Sequence, residues 1–105
     1  RISGWYWELY SYYLKLQLER EYSEKISYIE SKGSSDRKPH IQLKINDRVI
    51  TIERNYKSGE FVVKDETESN KPKELKSFPD DKSLTLYQEI SKYIKYLIGK
   101  LNYDG

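Results

Sequence analysis

At 105 residues, with 36% hydrophobic and 34% charged side chains, the chain has the size of one domain with a modest core and excludes a second. Nineteen basic against seventeen acidic side chains leave a net charge of +2, which excludes a strong long-range field for nucleic acid or membrane. The absence of cysteine excludes a disulfide framework and a thiolate metal site, and leaves the compartment open, with an intracellular location as the default expectation.

From Trp5 to about Ser31 the spacing predicts one long helix. Tyr10, Leu14, Leu18, Tyr22, Ile26 and Ile29 recur three and four apart as one stripe, and Glu21 with Lys25 forms an i,i+4 pair on the polar side. Gly33 is expected to stop the helix, and Ser34-Ser35-Asp36 to open a polar loop that runs to Pro39. Trp5, Leu9, Tyr13 and Leu16 fall on a second face. A helix apolar on two sides is expected to have something packed on both. The opening at Arg1 rather than Met adds the expectation of residues upstream.

Residues 40–65 read as strands. Ile41, Leu43 and Ile45 alternate with His40, Gln42 and Lys44, and Asn46-Asp47 suits a two-residue type I′ hairpin. That turn sets Leu43 opposite Ile50 and Ile41 opposite Ile52, all on one face. A four-residue turn at Tyr56-Lys57-Ser58-Gly59 then returns the chain into Glu60–Asp65, with Val63 opposite Ile52 and Phe61 on the same inner face. The other face, with His40, Gln42, Lys44, Thr51, Glu53 and Lys64, interrupted by Val49 and Val62, is expected to be mostly solvated.

Between Asp65 and Asp81 periodicity disappears, which predicts a mobile loop of about 65–81, tacked down by Leu75 and Phe78. Thr85 with Gln88 makes a capping box for a last helix, whose stripe is Tyr87, Ile90, Ile94, Leu97 and Leu101, widened by Leu86, Tyr93 and Ile98. The whole is predicted as a single α+β domain over 1–105: a long N-terminal helix, a three-stranded antiparallel β-meander and a C-terminal helix, in the order α-β-β-β-α.

No residue pattern points to catalysis. His40 is the only histidine and has neither cysteine nor a second histidine to share a metal with. The carboxylates at Asp80-Asp81 and along Asp65–Glu68 are adjacent in loops instead of converging from separate elements. The five glycines form no phosphate-cradling loop, and Ser34 and Ser35 sit in no nucleophile elbow. An enzyme is therefore not expected, and no cofactor, metal or small-molecule substrate is implied. No apolar run approaches the ~18–20 residues of a membrane span.

What stands out is the aromatic cluster Trp5, Tyr6, Trp7, Tyr10, Tyr12 and Tyr13, six rings within nine residues. Trp and Tyr dominate interface hot spots, and one buried face cannot hold all six. The expected function is non-enzymatic: a protein-interaction or assembly domain, oligomeric or part of a larger complex, that uses Trp5, Tyr6, Leu9, Tyr12, Tyr13 and Leu16. A cellular adaptor and a phage or viral inhibitor of a host protein fit this equally. The alternative is a small nucleic-acid-binding module with Lys44, Arg48, Arg54, Lys57 and Lys64 on a basic outer face of the hairpin, a charge balanced by Glu53, Glu60 and Asp65.

Overall fold

Straight-chain helix formers fill positions 14–21, and the first helix, α1, runs Gly4–Tyr22. It ends nine residues before the expected Ser31. The Tyr22 carbonyl accepts the amides of Lys25 and Ile26 at 2.9 and 3.0 Å, and the chain then turns into a strand, β1, Tyr28–Lys32. In the computed structural model that gives these elements, residues 4–22, 24–32, 40–79 and 85–104 are described, with backbone alone at 4–8, 10, 28, 29, 31, 32, 85 and 102–104. The expected stop at Gly33, the loop to Pro39 and the Thr85 cap lie outside the described residues.

The misplaced boundary has a physical cause. Ile26 and Ile29 satisfy helical spacing, but Tyr28 and Ile29 are residue types that strands favour as well. Tertiary pairing decides: β1 lines up against β2 (His40–Ile45), with Ile29 opposite Leu43 and the Ser27 amide on the Lys44 carbonyl at 3.1 Å. A helix there would leave that edge of β2 without its hydrogen bonds. Glu21 correspondingly finds no Lys25 one turn on, and its carboxylate instead accepts the Ser91 hydroxyl at 2.9 Å.

The middle of the sheet follows the expected register. Strands β3 (Arg48–Arg54) and β4 (Phe61–Asp65) pair antiparallel in sequence, with Leu43 opposite Ile50, Ile41 opposite Ile52, and Ile52 opposite Val63. Asn46 supplies the left-handed residue of the first turn (φ 57°), but Asp47 does not join it, so the turn is not the type I′ that needs both. Asn55 organises the second turn by accepting the amides of Lys57 and Ser58, with Gly59 at φ 81°.

A further strand, β5 (Lys73–Phe78), occupies the second half of the expected loop. The meander thus has five strands in the order β1-β2-β3-β4-β5, not three. Strand β5 evades the alternation rule because its register shifts between Val63 and Lys64: Lys76 faces Val63, Glu74 faces Lys64, and Leu75 is the extra residue. The bulge lets Leu75 and Phe78, three apart, both reach the core. Its charged residues Lys73, Glu74 and Lys76 are typical of a strand with one edge unpaired.

The last helix, α2, spans Thr85–Asp104. Both helices cover one face of the sheet. Ile41, Leu43, Ile45, Ile50, Ile52, Phe61 and Val63 form a single buried cluster with Leu14 and Leu18 of α1 and Leu86, Ile90, Ile94, Leu97 and Ile98 of α2. The opposite face is drier than expected. Thr51, Val62 and His40 are buried there, because in a five-stranded sheet Thr51 stands between Gln42 and Lys64 and Val62 between Glu53 and Ser77. The Lys64–Glu53 ion pair, 2.7 Å, lies across this central surface.

Candidate functional site: the outward face of the first helix

A helix turns 100° per residue, so positions 11, 14 and 18 share one side of α1, and positions 9, 12, 13 and 16 share the opposite side. Burial divides along the same line. Ser11, Leu14 and Leu18 are fully buried against the sheet and α2, whereas Leu9, Tyr12, Tyr13 and Leu16 are 42–55% exposed. These four are therefore not the second half of the core. Helix α2 offers the contrast: its outward side carries Gln88, Glu89, Lys92, Lys95 and Lys100, and Tyr96 is its only large exposed apolar residue among those described.

The exposed rings are held. Tyr13 meets Tyr87 of α2 edge-on, with centroids 5.9 Å apart and planes at 71°. The Lys15 ammonium lies 5.7 Å from the Tyr12 ring centroid and pairs with Glu19 at 3.3 Å. Ordered rings lose less entropy when a partner lands on them, which is the condition for a hot spot. Of the six residues expected at an interface, Leu9, Tyr12, Tyr13 and Leu16 lie together on this face. The side chains of Trp5 and Tyr6 lie outside the described residues.

Beneath the face, α1 is tied to α2 by a polar seam. The Tyr22 hydroxyl sits 3.1 Å from Ser91 Oγ and donates to the Ser91 carbonyl at 3.3 Å, while Ser91 Oγ donates to Glu21. Burial pushes the Tyr22 phenol above its ordinary value; the Ser91 bond opposes this and the Glu21 carboxylate adds to it. On the far side of α2, Tyr93 packs edge-on to Phe78 at 6.0 Å and tilts over Tyr96 at 5.7 Å, and the Lys76 ammonium lies 5.5 Å from both the Phe78 and Tyr93 centroids. Burial, with Tyr96 alongside, raises the Tyr93 phenol as well. Tyr96 was not anticipated from the sequence, though its position off the Ile90, Ile94, Leu97 stripe is the signal that it stays outside.

The five basic residues expected to form a nucleic-acid surface do not share one. Register puts Lys44 and Lys64 on the sheet face away from the helices, and Arg48 and Arg54 on the helix-covered side. Arg54 is buried, with its guanidinium 5.1 Å from the Tyr56 ring centroid. Arg48 is engaged by Asp65 at 2.6 Å, Lys64 by Glu53, and Lys57 stands alone in the second turn. Only Lys44 and Lys57 of the five are exposed without an ion pair among the described residues.

His40 opens β2 as expected and is buried, and among the described residues no three His, Asp or Glu side chains gather as a metal site would require. No helix of the described residues is long and apolar enough to cross a membrane. The chain matches no protein-family model, no curated protein and no solved structure.

Proposed function

We propose that this is a non-enzymatic protein-interaction domain that docks its partner on the outward face of α1 and acts as a subunit of an assembly. One observation supports the reading above the rest: Leu9, Tyr12, Tyr13 and Leu16, at i, i+3, i+4 and i+7, stand exposed directly opposite fully buried Leu14 and Leu18. A helix in contact with its own domain alone needs apolar residues on one side. Contiguous apolar surface of this kind on an isolated monomer marks an interaction site. The polar clusters fit a structural role, since Glu21, Tyr22 and Ser91 are spent on joining the helices and Asp65 on Arg48 and Thr67.

The test compares folding with association. The double variant Leu9→Ser, Leu16→Ser is expected to melt within a few degrees of wild type, since exposed substitutions change stability by about 0.5 kcal/mol or less each. Association, read as mass in solution or as a complex with a partner from the source, is expected to fall. Should the double variant melt as low as Leu14→Ala, and the wild type stay monomeric and partnerless, the face belongs to the fold and the proposal fails.

A further inference from the structure

We infer that the partner on the outward face of α1 is a second copy of the chain, packed antiparallel about a two-fold axis between Tyr12 and Tyr13; this rests on the docking reading above. Among the described side chains the exposed stripe reads the same in both directions, Leu9, Tyr12, Tyr13, Leu16. A two-fold contact requires that when residue i meets residue j, residue j meets residue i. Antiparallel packing meets this condition all along the stripe: Leu9 lies on Leu16 of the partner subunit, and Tyr12 on Tyr13 of the partner subunit.

Charge selects the antiparallel direction. The stripe itself holds no charged residue; Lys15, at its edge over Tyr12, is neutralised by Glu19, and the charge that follows in line with the stripe is Arg20, exposed one turn beyond Leu16. A parallel pair would set the two Arg20 side chains against each other, whereas the antiparallel pair sends them to opposite ends. Area sets the strength. Two half-exposed tyrosines and two half-exposed leucines offer on the order of 400 Å² per copy, so with its rim the dimer falls at or below the low end of specific interfaces, about 1,200 Å² in total. Association is therefore expected in the micromolar range, with dimers forming as concentration rises. Lys92 and Lys95, on the outward side of the neighbouring α2, make an anionic lipid surface the competing occupant.

The chain has no cysteine, so introduced thiols report cleanly. Wild type, weighed by sedimentation from roughly 10 μM to 1 mM, is expected to rise from 12.6 kDa toward double that mass. Mixing Leu9→Cys chains with Leu16→Cys chains under mild oxidation is expected to give a mixed disulfide at least about tenfold faster than either variant alone. In the antiparallel register like positions lie about 10 Å apart along the axis, beyond the roughly 7 Å between Cα atoms that a disulfide spans. Equal cross-linking of Leu9→Cys with itself overturns the antiparallel pair. A wild type that stays monomeric at 1 mM, yet binds a different protein or phosphatidylserine vesicles through this face, overturns the second copy; a different protein leaves the docking reading standing. A monomer whose Leu9→Ser, Leu16→Ser variant melts as low as Leu14→Ala overturns both.

Discussion

Arg48 grips one oxygen of Asp65 and leaves the other for Thr67. The guanidinium donates to Asp65 Oδ2 from Nη2 at 2.6 Å and from Nε at 3.0 Å. Oδ1 accepts the Thr67 amide at 3.0 Å and the Thr67 hydroxyl at 2.6 Å, and that hydroxyl in turn accepts the Val49 amide at 2.9 Å. One carboxylate thereby fastens the start of β3 to the end of β4. Burial alone would raise the Asp65 carboxyl, but the two Thr67 bonds and the Arg48 guanidinium outweigh it and hold it below its ordinary value.

A depressed native value means that this stability is fully present above the unfolded-state value of about 3.9 and is lost as pH falls through the lower native value. Asp65→Asn is expected to cost about 1–3 kcal/mol at neutral pH, with the gap to wild type closing as pH falls below the ordinary carboxylate range and through the depressed native value. Melting temperatures of the two proteins across the acid range check this. A gap that persists unchanged in acid would mean that the charge on Asp65 contributes nothing.

The sheet register makes a sharper demand. Leu43 and Ile50 face each other in the core at 0% exposure, while Gln42, one residue away, is on the other face. Leu43→Asp or Ile50→Asp is expected to unfold the domain, because an unpaired buried carboxylate costs several kcal/mol, comparable to a small domain's whole stability of ~5 kcal/mol. Gln42→Asp is expected to fold. Circular dichroism of the three variants decides it, and a folded Leu43→Asp would contradict the register.

Thr51 is completely buried on the face away from the helices, and its Oγ1 has no hydrogen-bond partner among the described residues. Thr51→Val keeps the shape and the β-branching and removes the hydroxyl. It is expected to stabilise the domain by roughly 1 kcal/mol, the gain from relieving a buried unpaired polar group. Denaturant titration measures it. A loss of similar size would show that the hydroxyl is bonded after all.

The scattered basic residues lead to an expectation about nucleic acid. With Arg48 and Arg54 on the helix-covered side and Lys64 paired to Glu53, only Lys44 and Lys57 of the five candidates stand exposed without an ion pair among the described residues. Any binding is expected to be weak and to fall steeply between low and physiological salt. Submicromolar affinity at ~150 mM salt, abolished by Lys44→Glu with Lys64→Glu, would reverse this reading.

The central strands were legible because two independent signals agree there. Turn residues at 46–47 and 56–59 set the register, and the alternation of Ile41, Leu43, Ile50 and Ile52 requires the same one. The outer strands had no such redundancy. Ile26 and Ile29 keep helical spacing and no alternation marks Tyr28–Lys32 as a strand, while the extra residue at Leu75 breaks the period that would reveal β5. For the site, the excess of rings over what one helix face can bury was readable in α1. Arg48 and Arg54 share the parity of Ile50 and Ile52, which assigns them to the core side and away from a basic outer face.

The seam between Tyr22 and Ser91 has a consequence for the order in which the molecule is made. The two residues are 69 positions apart, whereas every strand pairs with its neighbour in sequence. A chain leaving the ribosome delivers α1 before the strands and α2 after them, so the meander can close strand by strand while α1 still waits for Ser91. Throughout that interval Leu14 and Leu18 lack their cover from α2, and Leu9, Tyr12, Tyr13 and Leu16 are bare on the other side. The nascent polypeptide is therefore stickier than the finished one, and α1 is where a chaperone is expected to hold it.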